Sequence, residues 1–342
     1  MINNEIAKMI TDMGFICDNN GIYTNGASGY WSNLSVKENQ KFLEILSDAP
    51  PEEAVRKVIP QFFDMIYSSK REAALEFLDH SKPGICIDYG CMWGVLSFGM
   101  AKRGHSVIAV DQTYESLCFL QKRSLNENEK KIIPVQTDIR KFELSGVADF
   151  AIVNGVLEWI PVNENVNVGD YYSKSKAMNV KEEEPMFMQK EFLKNVFESL
   201  KSGGKLMLAI ENRFSYEYFL GKKDPHANIL FTTFLPRRIS DIISRYRKNR
   251  PYRNYVYSFS ALKKMVSESG YKNVYLYSAF PNYHFPELIL DYSEEGIKAY
   301  KKYPNKRRIT HKQKIAYYIE FFLMQIFKVK NLSPAIILIA EK

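Results

Sequence analysis

The apolar positions of the chain fall into two regimes. Over residues 36–78 they recur at helical spacing, as with Phe42, Leu43 and Leu46. This stretch reads as helix, broken at Pro50-Pro51. The segment before it, NNGIYTNGASGYWSN, is rich in turn formers and reads as loop. After Lys82-Pro83-Gly84 the pattern changes to short apolar runs separated by helical stretches. Strands are expected at 85–88, 107–111, 132–136, 150–154 and 205–210. A helix follows the first strand, runs to Arg103 and stops at Gly104. The helix before the fifth strand carries Phe192, Leu193, Val196, Phe197 and Leu200 on one face and is expected to end at Ser202-Gly203-Gly204. Farther on, residues 258–269 predict a helix with Ser260 as a cap and Gly270 as its stop. Residues 274–280 predict a strand, and 335–340 a last apolar strand. Strands alternating with helices predict βαβ units and a largely parallel sheet, buried on both faces.

In such a sheet, ligands bind outside the carboxyl ends of the strands. Those ends carry acids here. GICIDYGCMWG, residues 84–94, is a strand ending at Asp88, then a turn with Gly90 and Gly94, then a helix. Gly90 allows a tight turn and leaves room that a Cβ would fill. Asp111 ends the second strand, about twenty residues on, where an acid can accept both hydroxyls of a ribose. Asp138 follows the third strand in VQTDIRKF and reads equally well as a cap or as an acceptor for an adenine amino group. A dinucleotide site expects G-x-G-x-x-G, but Met92 stands at the second glycine, where a pyrophosphate needs a bare backbone.

The form D-x-G-x-x-x-G, Asp88 to Gly94, resembles motif I of class I S-adenosylmethionine-dependent methyltransferases. DFAIVNGVLEWIP, 149–161, resembles their motif IV, and SLKSGGKLMLAIENR, 199–213, their helix, Gly-Gly turn and fifth strand. The resemblance covers about residues 80–280 and the last strand. It implies an α/β, Rossmann-like, doubly wound sheet of seven strands, mostly parallel, with the last strand antiparallel beside the fifth. Residues 1–80 become a helical N-terminal extension or lid, and 81–342 the methyltransferase domain, with insertions at about 214–256 and 284–330. It also implies S-adenosylmethionine as cofactor, held by Asp88, Gly90, Cys91, Gly94, Asp111, Asp138, Ile139 and Asn154.

Three further segments, 210–226, 257–295 and 332–342, are similar to bacterial methyltransferases of surface-polysaccharide synthesis. That similarity implies a sugar, nucleotide-sugar or lipid-linked glycan acceptor and a glycosyltransferase partner. Methyl transfer to a hydroxyl draws on alignment and on a general base. Candidates for the base are Glu158, just past the fourth strand, Glu211 at the end of the fifth, and His226 and His284 in loops. Asn212 and Arg213 are candidates to bind the acceptor. Each also has an ordinary reading, as a polar loop residue or as part of a structural network. An RNA or small-molecule methyltransferase, and a non-catalytic cofactor-binding scaffold of a glycosyltransferase complex, are the alternatives.

Composition changes this picture little. The chain has 342 residues, 46% hydrophobic and 25% charged, enough to bury a large core. Its four cysteines, Cys17, Cys86, Cys91 and Cys118, show no paired spacing, so neither a disulfide scaffold nor a metal site is expected. The start, MINNEIAKMITDMG, lacks a secretory pattern, and no apolar run reaches the roughly 18 residues of a span. A cytoplasmic protein is expected. The net charge of +8 permits an anionic substrate or membrane surface, but no nucleic-acid module is recognisable. Arg237, Arg238, Arg245, Arg247, Lys248, Arg250 and Arg253 can hold phosphates or form a solvated face. The basic run 301–314 followed by the apolar run 315–327 reads as core, or as a peripheral contact with the inner membrane face.

Overall fold

The apolar runs become strands of one sheet in the computed structural model, which describes residues 2–26, 31–32, 34–162, 166–167, 184–293, 295–296 and 330–342. Among the described residues the strands are β1 (Ile16–Cys17), β2 (Tyr23–Thr24), β3 (Trp31–Ser32), β4 (Ile85–Tyr89), β5 (Ser106–Asp111), β6 (Ile132–Gln136), β7 (Ala148–Asn154), β8 (Val166–Asn167), β9 (Leu200–Glu211), β10 (Lys272–Phe280), β11 (Leu288–Asp291) and β12 (Ala335–Glu341). The main sheet runs β1-β2-β6-β5-β4-β7-β9-β12-β10-β11, and β3 pairs with β8 apart from it. From β6 to β9 every pairing is parallel, and β12 lies antiparallel between β9 and β10. This is the doubly wound arrangement expected from the sequence, with ten strands in place of seven.

The extra strands come from the flanks. Asp18 accepts the amides of Asn20 and Ile22, both at 2.9 Å, and so closes a tight turn. The start of the turn-rich segment therefore belongs to a hairpin over residues 16–24, and β2 adds in parallel to β6. The N-terminal region is thus partly sheet. At the other edge β11 pairs with β10.

The strands are apolar on both faces because both faces are covered. Along β9, Leu206, Leu208 and Ile210 enter the core on one side, and Met207 and Ala209 the core on the other. The helix Pro185–Ser199 starts with Pro at its first position and packs Phe192, Leu193 and Val196 inward. It ends before β9, which starts at Leu200, so Gly203 and Gly204 lie within the strand's first residues. The helix Phe259–Glu268 is capped by Ser258, whose side chain accepts from Ala261, and not by Ser260. The helices Val36–Asp48, Pro51–Val58 and Phe63–Tyr67 pack Phe42, Leu46, Val55 and Ile66 against Trp93 and Phe119. That contact seats the N-terminal region on the β4 turn.

Between β9 and β10 the chain forms the helices Tyr216–Phe219 and Arg237–Lys248. The stretches 301–314 and 315–327 lie outside the described residues. Among the described residues no helix is long and apolar enough to cross a membrane.

Candidate active site

In this strand order the chain changes direction between β4 and β7, which opens a crevice at the carboxyl edge. A cleft of about 250 Å3 lies there, bordered by the ends of β4, β5, β7 and β9 and by the loops at 225–226 and 283–284. The β4 turn forms one wall. Gly90 and Gly94 have φ of +71° and +76°, the left-handed region. A Cβ on Gly90 would stand 2.6 Å from Val156, and one on Gly94 2.4 Å from Leu120. Only glycine fits either position. The amides of Gly90 and Cys91 both donate to the Val110 carbonyl, at 2.8 and 3.1 Å, tying the turn to β5.

Asp111 braces the same turn. Its carboxylate accepts the amides of Met92 and Thr113, both at 2.8 Å. The Thr113 hydroxyl and the Gln112 amide also face it. Burial raises its pKa, against the pull of those amides. Asp88 is deeper and accepts Ser97 Oγ at 2.6 Å. Burial pushes it up to about 6 in spite of that bond.

Arg71, from the N-terminal region, reaches the cleft beside these acids. It donates to the Met65 carbonyl at 2.7 Å and lies 3.3 Å from His284 Nδ1. Its Nε is buried without a partner. Burial lowers its pKa to about 10. A guanidinium this buried favours an anion.

At the other end stand Glu158, Glu211 and His226. Glu158 sits on the single turn Leu157–Trp159 after β7, its carbonyl held by Asn254 Nδ2 at 3.1 Å. Glu211 ends β9 and receives Tyr283 Oη at 3.3 Å. His226 Nε2 is 3.5 Å from an oxygen of each glutamate. Behind it, Asp224 accepts the amides of His226 and Ala227 at 2.8 and 3.0 Å and the Tyr252 hydroxyl at 2.7 Å. Burial opposes charge on His226, but Glu211, Asp224 and Glu158 outweigh it and raise its pKa well above the usual range. Burial raises Glu211 to about 7, with Glu158 adding repulsion and His226 offsetting part. His284 is pushed down to about 3 by burial and then by Arg71 and His226.

The cleft lining includes Asp88, Gly90, Cys91, Asp111, Asp138, Ile139, Asn154, Glu158, Glu211, His226 and His284. Gly94 stands behind it, starting the helix Val95–Lys102. Asp138 borders the cleft as a cap. Its carboxylate takes Nε and Nη2 of Arg140 at 2.8 and 2.7 Å, and the Arg140 amide at 3.1 Å.

Asn212 and Arg213 are placed elsewhere. Neither lines the cleft. Asn212 donates to the Asn331 and Ser333 carbonyls, both at 2.7 Å, and so holds the approach to β12. Arg213 donates to the Thr233 and Leu235 carbonyls at 3.2 and 2.9 Å, tying down the insertion. Several of the basic side chains beyond it are structural as well. Arg237 donates to the Val256 carbonyl and lies over the Tyr255 ring, Arg245 pairs with Asp241, and Arg253 donates to the Pro161 carbonyl.

Arg71 and Tyr283 also line the cleft, without a signal in the sequence. Arg71 lies in the stretch KREAALEF, which looks like an ordinary polar turn. Tyr283 carried no signal at all, although a Cβ on Gly155 would meet its hydroxyl at 2.6 Å.

Residues 57–176 match the family described as tellurite resistance protein TehB. No curated protein matches the chain. Among solved structures it is similar to Haemonchus contortus phosphoethanolamine N-methyltransferase 2 in complex with S-adenosyl-L-methionine. That match has 12% identity and a TM-score of 0.48, covering 88% of this chain and 60% of that one. The chain thus spans less than two thirds of that protein's length. It is also similar to an S-adenosylmethionine-dependent methyltransferase from Mesorhizobium loti, with 12% identity, a TM-score of 0.44, and 81% and 100% of the two chains covered. A third is a SAM-dependent methyltransferase from Thermotoga maritima, with 11% identity, a TM-score of 0.45, and coverage of 85% and 97%. These likenesses concern architecture alone.

Proposed function

We propose that the chain is an S-adenosylmethionine-dependent methyltransferase acting on a hydroxyl of a sugar or glycan-linked acceptor. The observation that carries this reading is the two-ended cleft. A glycine turn braced by a strand-end acid occupies one end, and a buried carboxylate–imidazole group the other.

The residues fit the cofactor. Asp111, on the cleft wall at the end of β5, is placed to accept the ribose hydroxyls. The unpartnered Arg71 Nε suits the methionine carboxylate, and Asp88 beside it suits the ammonium, which would draw its proton off. Ile139 and Met92 offer apolar surface to the adenine. Asp138 contributes through Arg140 as much as through its own oxygens. Asn154, at the end of β7, lies between the two ends. Once bound, the cofactor supplies an electrophilic methyl group on a sulfonium.

The chain's own part is to align the acceptor and take its proton. As the bound cofactor would supply its methyl group to the acceptor oxygen, the hydroxyl proton would pass to the acid cluster of Glu158, Glu211 and His226. Glu211, near neutrality at about 7, is suited to that proton. His226, held charged among carboxylates, and His284, neutral with a pKa near 3, are less so.

A glycan acceptor and a glycosyltransferase partner rest on the resemblance of segments 210–226, 257–295 and 332–342, and a place at the inner membrane face on the basic run 301–314 and the apolar run 315–327. The N-terminal region acts as a lid in this reading, since it brings Arg71 to the cleft. Calorimetry with the cofactor and its demethylated product tests the reading directly. Micromolar binding is expected, and no binding of either would sink it. Turnover on nucleotide sugars or lipid-linked glycans, and none on tRNA, is the expected acceptor profile. The reverse profile would favour RNA.

A further inference from the structure

We propose that Glu158, Glu211 and His226 form a site for one first-row divalent cation, with open positions facing the acceptor. The inference deepens the reading above and rests on it for the identity of the acceptor, but not for binding of the ion.

The three side chains come from distant parts of the chain, yet one ligand atom of each lies within 4.8 Å of the others. His226 Nε2 is equally far, 3.5 Å, from Glu158 Oε1 and Glu211 Oε2. That is at the outer limit of a hydrogen bond, and a single ring proton can serve only one carboxylate at a time. It matches the spacing of two ligands around one metal, because bonds of about 2.1 Å set neighbouring ligands roughly 3.0 to 3.5 Å apart. Atoms so spaced leave a point within about 2.4 Å of all three.

Two observations beyond the spacing favour a cation. Glu158 is 1% exposed, and its Oε2, like Glu211 Oε2, is buried without a hydrogen-bond partner. Lone pairs left so are costly unless something positive meets them. The imidazole is also backed by a third carboxylate. Asp224 stands 3.5 Å from Nδ1 and is itself fixed by two amides and Tyr252. A carboxylate behind the imidazole is what aims the other nitrogen at a metal. The charges agree. Glu158, Glu211 and Asp224 are three carboxylates around one imidazole, so even a protonated ring leaves the group negative.

Two carboxylates and an imidazole suit Mn2+ or Zn2+ better than the all-oxygen preference of Ca2+. An acceptor hydroxyl taken up by such an ion would lose its proton more readily. The glutamates would then be ligands and would pass the proton on to solvent.

The test is Mn2+ titration of chelator-treated full-length protein, followed by electron paramagnetic resonance. One Mn2+ per chain should bind, with nitrogen modulation from a coordinated imidazole. Glu158→Gln, Glu211→Gln and His226→Gln should each weaken binding by about tenfold or more. Asp224→Asn should weaken it less. Should a variant fail to fold, the wild-type spectrum still decides. Absence of binding at millimolar Mn2+ and Zn2+, or a bound Mn2+ without nitrogen coupling, overturns the site. So does unchanged affinity in all three folded variants. Cofactor calorimetry runs separately. Mn2+ uptake without cofactor binding would sink the methyltransferase reading alone, and the converse would sink only the ion.

Discussion

At the β4–β5 end of the cleft, Asp111 is held by backbone amides a few residues from it or from the adjoining turn, and Asp88 by a serine one helical turn beyond the same turn. At the β7–β9 end, Glu158, Glu211 and His226 meet from three separate elements, and two carboxylate oxygens are left without donors. The first end is preorganised by its own neighbourhood, so it can wait for a ligand at little cost. The second holds buried charge that only a ligand, an ion or a proton can relieve. Binding is expected to depend on the first end and turnover on the second.

The largest effect should come from the second end. Glu211→Gln should lower turnover about a hundredfold to ten-thousandfold and leave cofactor affinity nearly unchanged. Steady-state rates with calorimetry check this. A parallel loss of affinity would erase the division between the ends.

The next effect belongs to Asp88 and is read in stability. Its pKa is raised to about 6 by burial. Between about pH 4 and 6 the folded chain keeps a proton that the unfolded chain has released, so wild-type stability falls as pH rises and levels off above 6. Asp88→Asn still accepts from Ser97 and has no such loss. Relative to wild type it should gain about 2.5 kcal/mol between pH 4 and pH 8, measured from urea midpoints. A gap that does not change with pH would mean that Asp88 is already ionised when buried.

Smaller and confined to binding are the effects of Arg71→Gln and Asp111→Ala. Each removes charge-assisted hydrogen bonds of about 1.5 to 3 kcal/mol, so cofactor affinity should fall about tenfold or more. Normal titration of Arg71→Gln would return that residue to a purely structural role. The smallest effect should come from Arg245→Gln. Its ion pair with Asp241 is exposed, so stability should shift by less than about 1 kcal/mol and turnover not at all. A large loss of turnover would restore the basic helix to the acceptor site.

The same contrast explains what the sequence disclosed. The β4 turn and the strand-end acids were legible because their partners lie close in sequence and their residue types are forced, as with glycine at φ +71°. The order of the sheet followed from alternating apolar runs. Glu158 and Glu211 could be named from their strand ends and His226 from its loop, but their meeting could not, since it depends on how residues 214–256 fold back. Asn212 and Arg213 share a strand end with Glu211 yet turn to carbonyls of β12's approach and of the insertion. Neighbours in sequence do not fix which way a side chain faces after a strand ends. Arg71 was hidden for a related reason. Its polar surroundings look solvated until the helices before it dock on Trp93 and Phe119.

The position of β12 bears on how the protein is made. It fills the slot between β9 and β10, and its Ala335 pairs with Glu211 itself. On the ribosome, β9 is finished more than a hundred residues before β12 exists, on the order of ten seconds at ordinary elongation rates. From the completion of β10 at residue 280 until β12 is made, both flanking strands present bare hydrogen-bonding edges, the kind that recruit other chains. Nascent protein is therefore most exposed to misassembly and most in need of chaperones late in synthesis, and a stop codon shortly before residue 335 should yield insoluble material, not a weakened enzyme.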